Sequence, residues 1–264
     1  MVTMPDPLAV TAINRLERMR VAVVERAKMV LVKIAKAPDK EHIAARDELS
    51  NLDAIRTELL AILRREGQAE ALSTGEAAVV SAMHEAMTDG QADLEGGVTL
   101  KASARNRALA SATGALDGVA AAFGEGARAI RLLLDVSEVA GKPHKRLVDD
   151  VAEAIDTSFS RAKAAVETAI IGAYRAITVA QAESGAEATG EPMGFLYDGP
   201  EDAKIRPFCS EHVGIVYTAA ALRRMDNGQG LPVVPFAGGY RCRHRLVPID
   251  LDQARAEGYD VVMR

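Results

Sequence analysis

Two short segments near the end of the chain hold both of its cysteines and two of its five histidines. The first segment carries Cys209 and His212, and the second carries Cys242 and His244. Thiolate and imidazole are ligands that tetrahedral zinc favours. Cys-x-x-His on a turn and Cys-x-His on an extended segment would each direct two side chains to one side. These four residues are therefore candidate ligands of a structural zinc ion.

Other chemistry is open to the same residues. Cys209 and Cys242 could form a disulfide outside the cell, or the thiols could simply pack while the imidazoles form hydrogen bonds. Cys209 with a histidine could act as a nucleophile and base, and His244 with a metal could cleave phosphodiesters. Neither an oxyanion loop nor a carboxylate cluster accompanies them, so the sequence predicts a protein that is not an enzyme.

Charged residues surround the two segments. Asp202 and Arg206 precede Cys209 at a spacing that could let the guanidinium bridge a turn to the carboxylate. Three alternating arginines, Arg241, Arg243 and Arg245, form a local basic patch. The patch is either a solvated, ion-paired strand face or a contact for phosphate or an acidic partner.

Composition limits the function further. The 264 residues are 48% hydrophobic and carry a net charge of −5, which provides no general basic field for nucleic acid. Aromatic residues are only 4%, so the core depends on small aliphatic side chains and closely packed helices. No apolar run approaches a membrane span, and the first residues lack the pattern of a secretory signal. We expect synthesis and folding in the cytosol.

The first part of the chain is predicted to be helical, because apolar residues recur at intervals of three and four and proline is rare. The predicted helices cover residues 8–37, 41–66, 74–92, 101–123 and 127–140. The breaks between them are predicted at residues 37–40, 93–97, 124–126 and 141–143, which contain glycine or proline.

A long helix is predicted next, at residues 144–184, with an eleven-residue repeat of apolar or small residues. A repeat of about 3.67 residues per turn keeps one face aligned along a long helix. This stripe either faces a core or forms a rod for self-association or docking on a partner. Its members are Val148, Val151, Ile155, Phe159, Ala162, Val166, Ile170, Ala173 and Ile177.

The composition changes after a predicted linker at residues 184–194. Extended segments are predicted at residues 195–197, 214–217 and 246–249, and helices at residues 218–226 and 251–257, with Thr218 as an N-cap. The predicted fold is mainly α: an elongated helical region at residues 1–143, a long connecting helix at 144–184, and a small α+β Cys/His module at 195–264.

The end of the long helix and the module together resemble, over about residues 160–250, the phage Mu F-like family of minor head (head morphogenesis) proteins. The family carries D-x-x-x-R-x-x-C-x-x-x-x-G, matched here by Asp202, Arg206, Cys209 and Gly214. Its closing N-C-R-C or N-C-R-H segment is matched by Cys242, Arg243 and His244. Arg241 stands where the family usually has asparagine, and His244 is a ligand-compatible exchange for cysteine.

This resemblance implies a virion structural protein, made in the host cytoplasm, that acts in head assembly and in DNA packaging or ejection. The implied partners are the portal protein, the major capsid protein and, in some members, packaged DNA, with no membrane. Self-association through the helices is a further expectation. One alternative is a metal-dependent nuclease or hydrolase of head maturation. Another is an internal protein that is ejected with the genome.

Overall fold

The structure is a computed structural model that describes residues 7–35, 45–93, 100, 102–140 and 144–263. It is mainly α-helical and ends in a small mixed sheet, which confirms the predicted fold class. The helices before the sheet are α1 (Pro7–Ala35), α2 (Ala45–Ile62), a π-helical segment (Leu63–Ala69), α3 (Glu70–Asp93), α4 (Ala102–Gly114), α5 (Asp117–Ala140) and α6 (His144–Thr189). Of the helices in the described ranges, none is both long enough and apolar enough to cross a membrane.

Two compact units can be distinguished by their internal contacts. One contains Met1–Ala9, Glu76–Ala115 and Ala164–Arg264, and the other contains Val10–Gly75 and Leu116–Lys163. Helix α6 contributes residues to both units. The domain boundaries suggested by the sequence, at residues 143, 184 and 195, remain a prediction.

The apolar stripe of α6 is buried along most of its length. From Val151 to Ile177 its members are at most 3% exposed, as expected of a face that packs against other elements. Val148 is half-buried, and the adjacent Leu147 is buried instead. Helix α6 also runs to Thr189, so the first half of the predicted linker is helical, and Gly190 ends the helix with a φ of 77°.

The break predicted at residues 124–126 is wrong, because α5 passes through both glycines. Gly126 serves packing: a Cβ there would lie 2.0 Å from Oγ of Ser158 on α6. A turn interrupts the predicted helix 101–123 at residues 115–116, and the π-helical segment joins α2 to α3 without a gap. The breaks at residues 37–40, 94–97 and 141–143 lie outside the described residues.

The C-terminal module is built on a four-stranded sheet of order β3-β1-β2-β4. Strand β1 pairs antiparallel with β2 and β3, and β2 pairs in parallel with β4. Phe195 and Tyr197 of β1 are fully buried in the module core. The elements are β1 (Met193–Asp198), α7 (Pro207–His212), β2 (Val216–Tyr217), α8 (Ala219–Leu222), α9 (Val233–Phe236), β3 (Arg245–Asp250), α10 (Leu251–Ala256) and β4 (Val261–Val262).

Thr218 caps α8, as predicted, and gives the first testable expectation. Its hydroxyl accepts a hydrogen bond from the amide of Ala221 at 3.2 Å and donates to the carbonyl of Met263 at 3.0 Å. Replacing Thr218 by alanine should lower the free energy of unfolding by about 1 kcal/mol, the usual loss for an N-cap. Urea unfolding checks this value, and Thr218→Ser, which keeps the hydroxyl, should lose less.

Candidate metal centre

Three of the four candidate ligands meet inside the C-terminal module. Cys209 lies on α7, two residues after Pro207 at the start of that short helix, where a fixed φ suits proline. Cys242 and His244 follow a tight turn and precede β3, and their side chains approach each other closely. Their exposed fractions are 1%, 4% and 2%, in that order. Cys209 and Cys242, which are 33 residues apart in the chain, are thus in contact inside the module.

The donor atoms are spaced as ligands of one ion would be. The sulfur atoms of Cys209 and Cys242 are 3.7 Å apart, and Sγ of Cys242 is 3.8 Å from Nδ1 of His244. Tetrahedral zinc separates two sulfur ligands by about 3.8 Å, and sulfur from nitrogen by about 3.6 Å. All three donors lie within 4.8 Å of one another. This cluster could hold a metal ion, and both cysteines are free thiols rather than a disulfide.

The surroundings of Cys242 favour its thiolate. The hydrogen bond from Cys209 lowers the pKa of Cys242, and the guanidinium of Arg175 and the amides of His244 and Gly238 lower it further. The Gly238 amide donates to Sγ of Cys242 at 3.2 Å. The pKa of Cys209 is raised, first by its hydrogen bond with Cys242 and then by burial. The two pKa shifts are therefore opposite, and of the two thiols Cys242 is the one whose surroundings favour the thiolate.

Glycine at position 238 is required by the space around the sulfur atoms. A Cβ there would lie 2.3 Å from Sγ of Cys209 and 3.2 Å from Sγ of Cys242. A Cβ at Gly199 would lie 2.5 Å from the ring of His244. The imidazole Nε2 is buried and has no hydrogen-bond partner among the residues that the structure describes. The two glycines let the backbone close tightly around the three donors.

His212, the fourth predicted ligand, is not part of this group. Its Nδ1 is 2.9 Å from the hydroxyl of Tyr217, and its ring packs against Phe208 with centroids 4.4 Å apart. Burial lowers the pKa of His212. It is the last residue of α7 and its ring lies against Tyr217 and Phe208, so the structure does not place it with the other three predicted ligands.

The predicted Asp202–Arg206 pair is also wrong. Asp202 forms two hydrogen bonds with Arg243, at 2.6 and 2.7 Å, and these lower the pKa of the carboxyl. Arg206 donates to the carbonyls of Gly238 and Tyr240, at 2.9 and 2.6 Å. Arg206 and Asp202 thus have separate partners instead of each other. Both residues connect the first segment to the second.

Arg206 yields a test of this connection. Lysine has no planar fork and cannot reach two carbonyls at once, so Arg206→Lys should lower the free energy of unfolding by about 1–2 kcal/mol. Urea unfolding of the two proteins measures the difference. Arg243→Lys is the matched control, because its partner Asp202 is exposed and exposed ion pairs contribute little to stability. Equal losses of unfolding free energy in the two variants would contradict a stabilising role of the Arg206 hydrogen bonds.

Each arginine of the alternating patch is paired with a carboxylate from a different element. Arg241 pairs with Glu167 of α6 at 2.6 Å, Arg243 with Asp202 before α7 at 2.6 Å, and Arg245 with Asp198 of β1 at 2.6 Å. All three guanidinium groups thus have a carboxylate partner. The arrangement matches the ion-paired strand face that the sequence left open, and not a free basic patch.

Two residues of the motif segments, Arg241 and Gly214, have a positive φ. Arg241 has a φ of 52°, in the left-handed region that asparagine and glycine adopt more readily than other residues. Its amide donates to Oγ1 of Thr168 at 3.0 Å. Gly214 has a φ of 82°, and its amide donates to the carbonyl of Tyr197 at 2.9 Å.

Three residues at the centre were not predicted from the sequence. The phenol of Tyr197 is fully buried and donates to Sγ of Cys209 at 3.4 Å, and burial raises its pKa. Arg175 of α6 donates to the carbonyl of Cys242 at 2.8 Å. Gly238 borders both sulfur atoms. The glycine pair just before Cys242 was the available signal, because glycines beside a ligand often mark a close backbone approach.

Comparison with known proteins adds no identification. No protein-family model, curated protein or solved structure matches the chain. Functional inference therefore depends on the geometry of the centre and on the two segments that form it.

Proposed function

We propose that this chain is a bacteriophage minor head protein, a non-enzymatic virion component that associates with the portal or the inner capsid. The observation that carries the proposal is the pairing of the two motif segments. Asp202 binds Arg243, Arg206 binds the turn before Cys242, and Cys209 meets Cys242 and His244. A motif whose members contact one another in this way has a physical reason to occur as a set.

The metal in this proposal is zinc, and its role is structural. Two thiols and one imidazole form a soft, nitrogen-containing donor set, which suits zinc better than the hard cations that bind carboxylates. The three ligands join α7 to the segment before β3, so the ion would stabilise a small module with few large apolar side chains. The low exposure of all three ligands supports a structural site over one that admits a substrate.

The helical part supplies the docking surface in this proposal. Helix α6 extends over 46 residues and enters the module, where Val179 and Ala182 belong to the core. Arg175, Thr168 and Glu167 of the same helix contact the turn at residues 241–242. A module fixed to a long helix by several polar contacts suits a protein that acts by packing against partners.

The test is the presence of the chain in heads. Purified virions of the encoding phage should contain the chain by mass spectrometry, and the purified protein should co-sediment with the portal or major capsid protein. Heads assembled without its gene are the control. Absence from virions together with failure to co-sediment with either partner would refute the proposal. Loss of the chain from heads after DNA release would assign it instead to the proteins ejected with the genome.

A further inference from the structure

The metal centre has three protein donors, whereas a structural zinc ion takes four. In a catalytic site the fourth position is open to water. Here Cys209, Cys242 and His244 are at most 4% exposed, so the surroundings resemble a module core more than a cleft. A site closed to solvent would take its fourth donor from the protein itself.

The phenol oxygen of Tyr197 lies beside one of the two sulfur donors. It is 3.4 Å from Sγ of Cys209, and a tetrahedral zinc ion separates sulfur and oxygen ligands by about 3.5 Å. Three of the six separations between the four donor atoms, at 3.7, 3.8 and 3.4 Å, thus match the separations expected around one tetrahedral zinc ion.

We propose that Tyr197 is the fourth ligand of the metal centre, through its phenol oxygen. This inference rests on the zinc assignment made under the proposed function. It defines a closed centre of two sulfur atoms, one nitrogen atom and one oxygen atom. On binding, the phenol proton leaves for solvent and the oxygen takes the fourth position, so no position remains for a substrate or a water nucleophile.

The fold holds the phenol in place before any metal arrives. Tyr197 belongs to β1, the strand that pairs on both sides, so its backbone cannot shift without breaking the sheet. Its ring is fully buried, with the ring centroids of His244 and His212 at 5.5 and 6.0 Å. Little conformational entropy is therefore lost when the oxygen becomes a ligand.

The charge around the centre favours an anionic fourth ligand. Zinc with two thiolates and a neutral imidazole is neutral, and a phenolate makes the centre −1. The guanidinium of Arg175 reaches the Cys242 carbonyl at 2.8 Å, and Arg206 binds the adjacent turn. Within the described ranges, neither arginine has a carboxylate partner at salt-bridge distance. A centre of charge −1 would supply the missing counter-charge.

Replacing Tyr197 by phenylalanine tests the proposal, because it removes only the oxygen and keeps the buried ring. Zinc affinity, measured by competition with a chromophoric chelator, is expected to fall at least about tenfold. Zinc added to the metal-free wild-type chain should produce the ultraviolet difference band of one ionised tyrosine, and the variant should not show it. Tyr217→Phe is the matched control: Tyr217 is buried in the same module but bonds to His212, so its variant should behave as wild type.

Either an unchanged zinc affinity in Tyr197→Phe or a wild-type difference spectrum without the tyrosinate band would overturn the proposal. A wild-type chain that binds no zinc at all would overturn the zinc assignment and the fourth ligand together. Neither result bears on the presence of the chain in virions, which is measured separately, so the head-protein proposal and the ligand proposal fail independently.

Discussion

A chain in which Cys242 is replaced by serine is expected to lose its zinc, and its C-terminal module should lose more than about 4 kcal/mol of stability. Cys242 is the central donor, in contact with both Cys209 and His244. Its sulfur also accepts the Gly238 amide, and its environment favours the thiolate. A shorter, weakly acidic hydroxyl at this place cannot replace a thiolate ligand, and it leaves buried polar groups unsatisfied.

The module can be observed separately from the helices before it. The chain has no tryptophan, and its five tyrosines all lie at or after residue 174. Tyrosine circular dichroism in the near ultraviolet therefore reports on this part of the chain during urea unfolding. Elemental analysis should find about one zinc per wild-type chain and none in Cys242→Ser. A chelator should lower the urea midpoint of the wild type and leave that of the variant unchanged.

His212→Gln is the control for ligand identity. The structure places His212 beside Tyr217 and outside the donor group, so this variant should keep its zinc and lose only about 1 kcal/mol. Loss of zinc from His212→Gln would restore the four-residue site expected from the sequence. A wild type that contains no zinc and ignores the chelator would favour two packed thiols, and Cys242→Ser would then cost little.

Replacing Phe236 by alanine is expected to lower the free energy of unfolding by about 3–5 kcal/mol. This side chain of α9 is 1% exposed and lies against α6 at Gly172, where a Cβ would stand 2.2 Å from the ring. The cost combines the lost burial of a large apolar group with a cavity that the rigid helix cannot fill. Urea unfolding followed by tyrosine circular dichroism measures the loss.

Gly172→Ala supplies the second half of a double-mutant cycle. In the wild-type background the added methyl should destabilise by about 1–3 kcal/mol, because it meets the ring of Phe236. In the Phe236→Ala background the clash is gone, and the same change should stabilise by about 1 kcal/mol through helix propensity. Gly185→Ala is the control in the same helix, since nothing lies within 4 Å of its Cβ position, and it should stabilise in both backgrounds. Equal effects of Gly172→Ala in the two backgrounds would refute the contact.

The helical pattern could be predicted because it depends on local periodicity. The stripe from Val151 to Ile177 repeats at helical intervals, and burial follows that repeat almost residue by residue. The glycines of α5 show the limit of the same reasoning. Gly126 looks like a break in the sequence, and only the position of Ser158 on another helix shows that it is a close packing contact.

The site could be predicted in part, because its ligands are recognisable by residue type. Cys209, Cys242 and His244 stand out by type, and their types alone suggest a common ion. The partners of Asp202 and Arg206 lie more than 30 residues away, so spacing within one segment could not reveal them. Tyr197 is an ordinary strand residue by its pattern, and its role depends on sheet register. Strand β4 is two residues long and was not predicted, because its parallel pairing with β2 leaves no local signal.

The ion-paired arginines have a consequence for how this face would meet a nucleic acid. A polyanion that approached the three arginines would have to displace the carboxylates of Glu167, Asp202 and Asp198. The loss of each ion pair would offset the attraction between the arginine and a phosphate. Few counterions are held there to be released. A heparin column should therefore retain the protein no more tightly than a variant with all three arginines changed to glutamine, and any affinity for nucleic acid would have to come from another face.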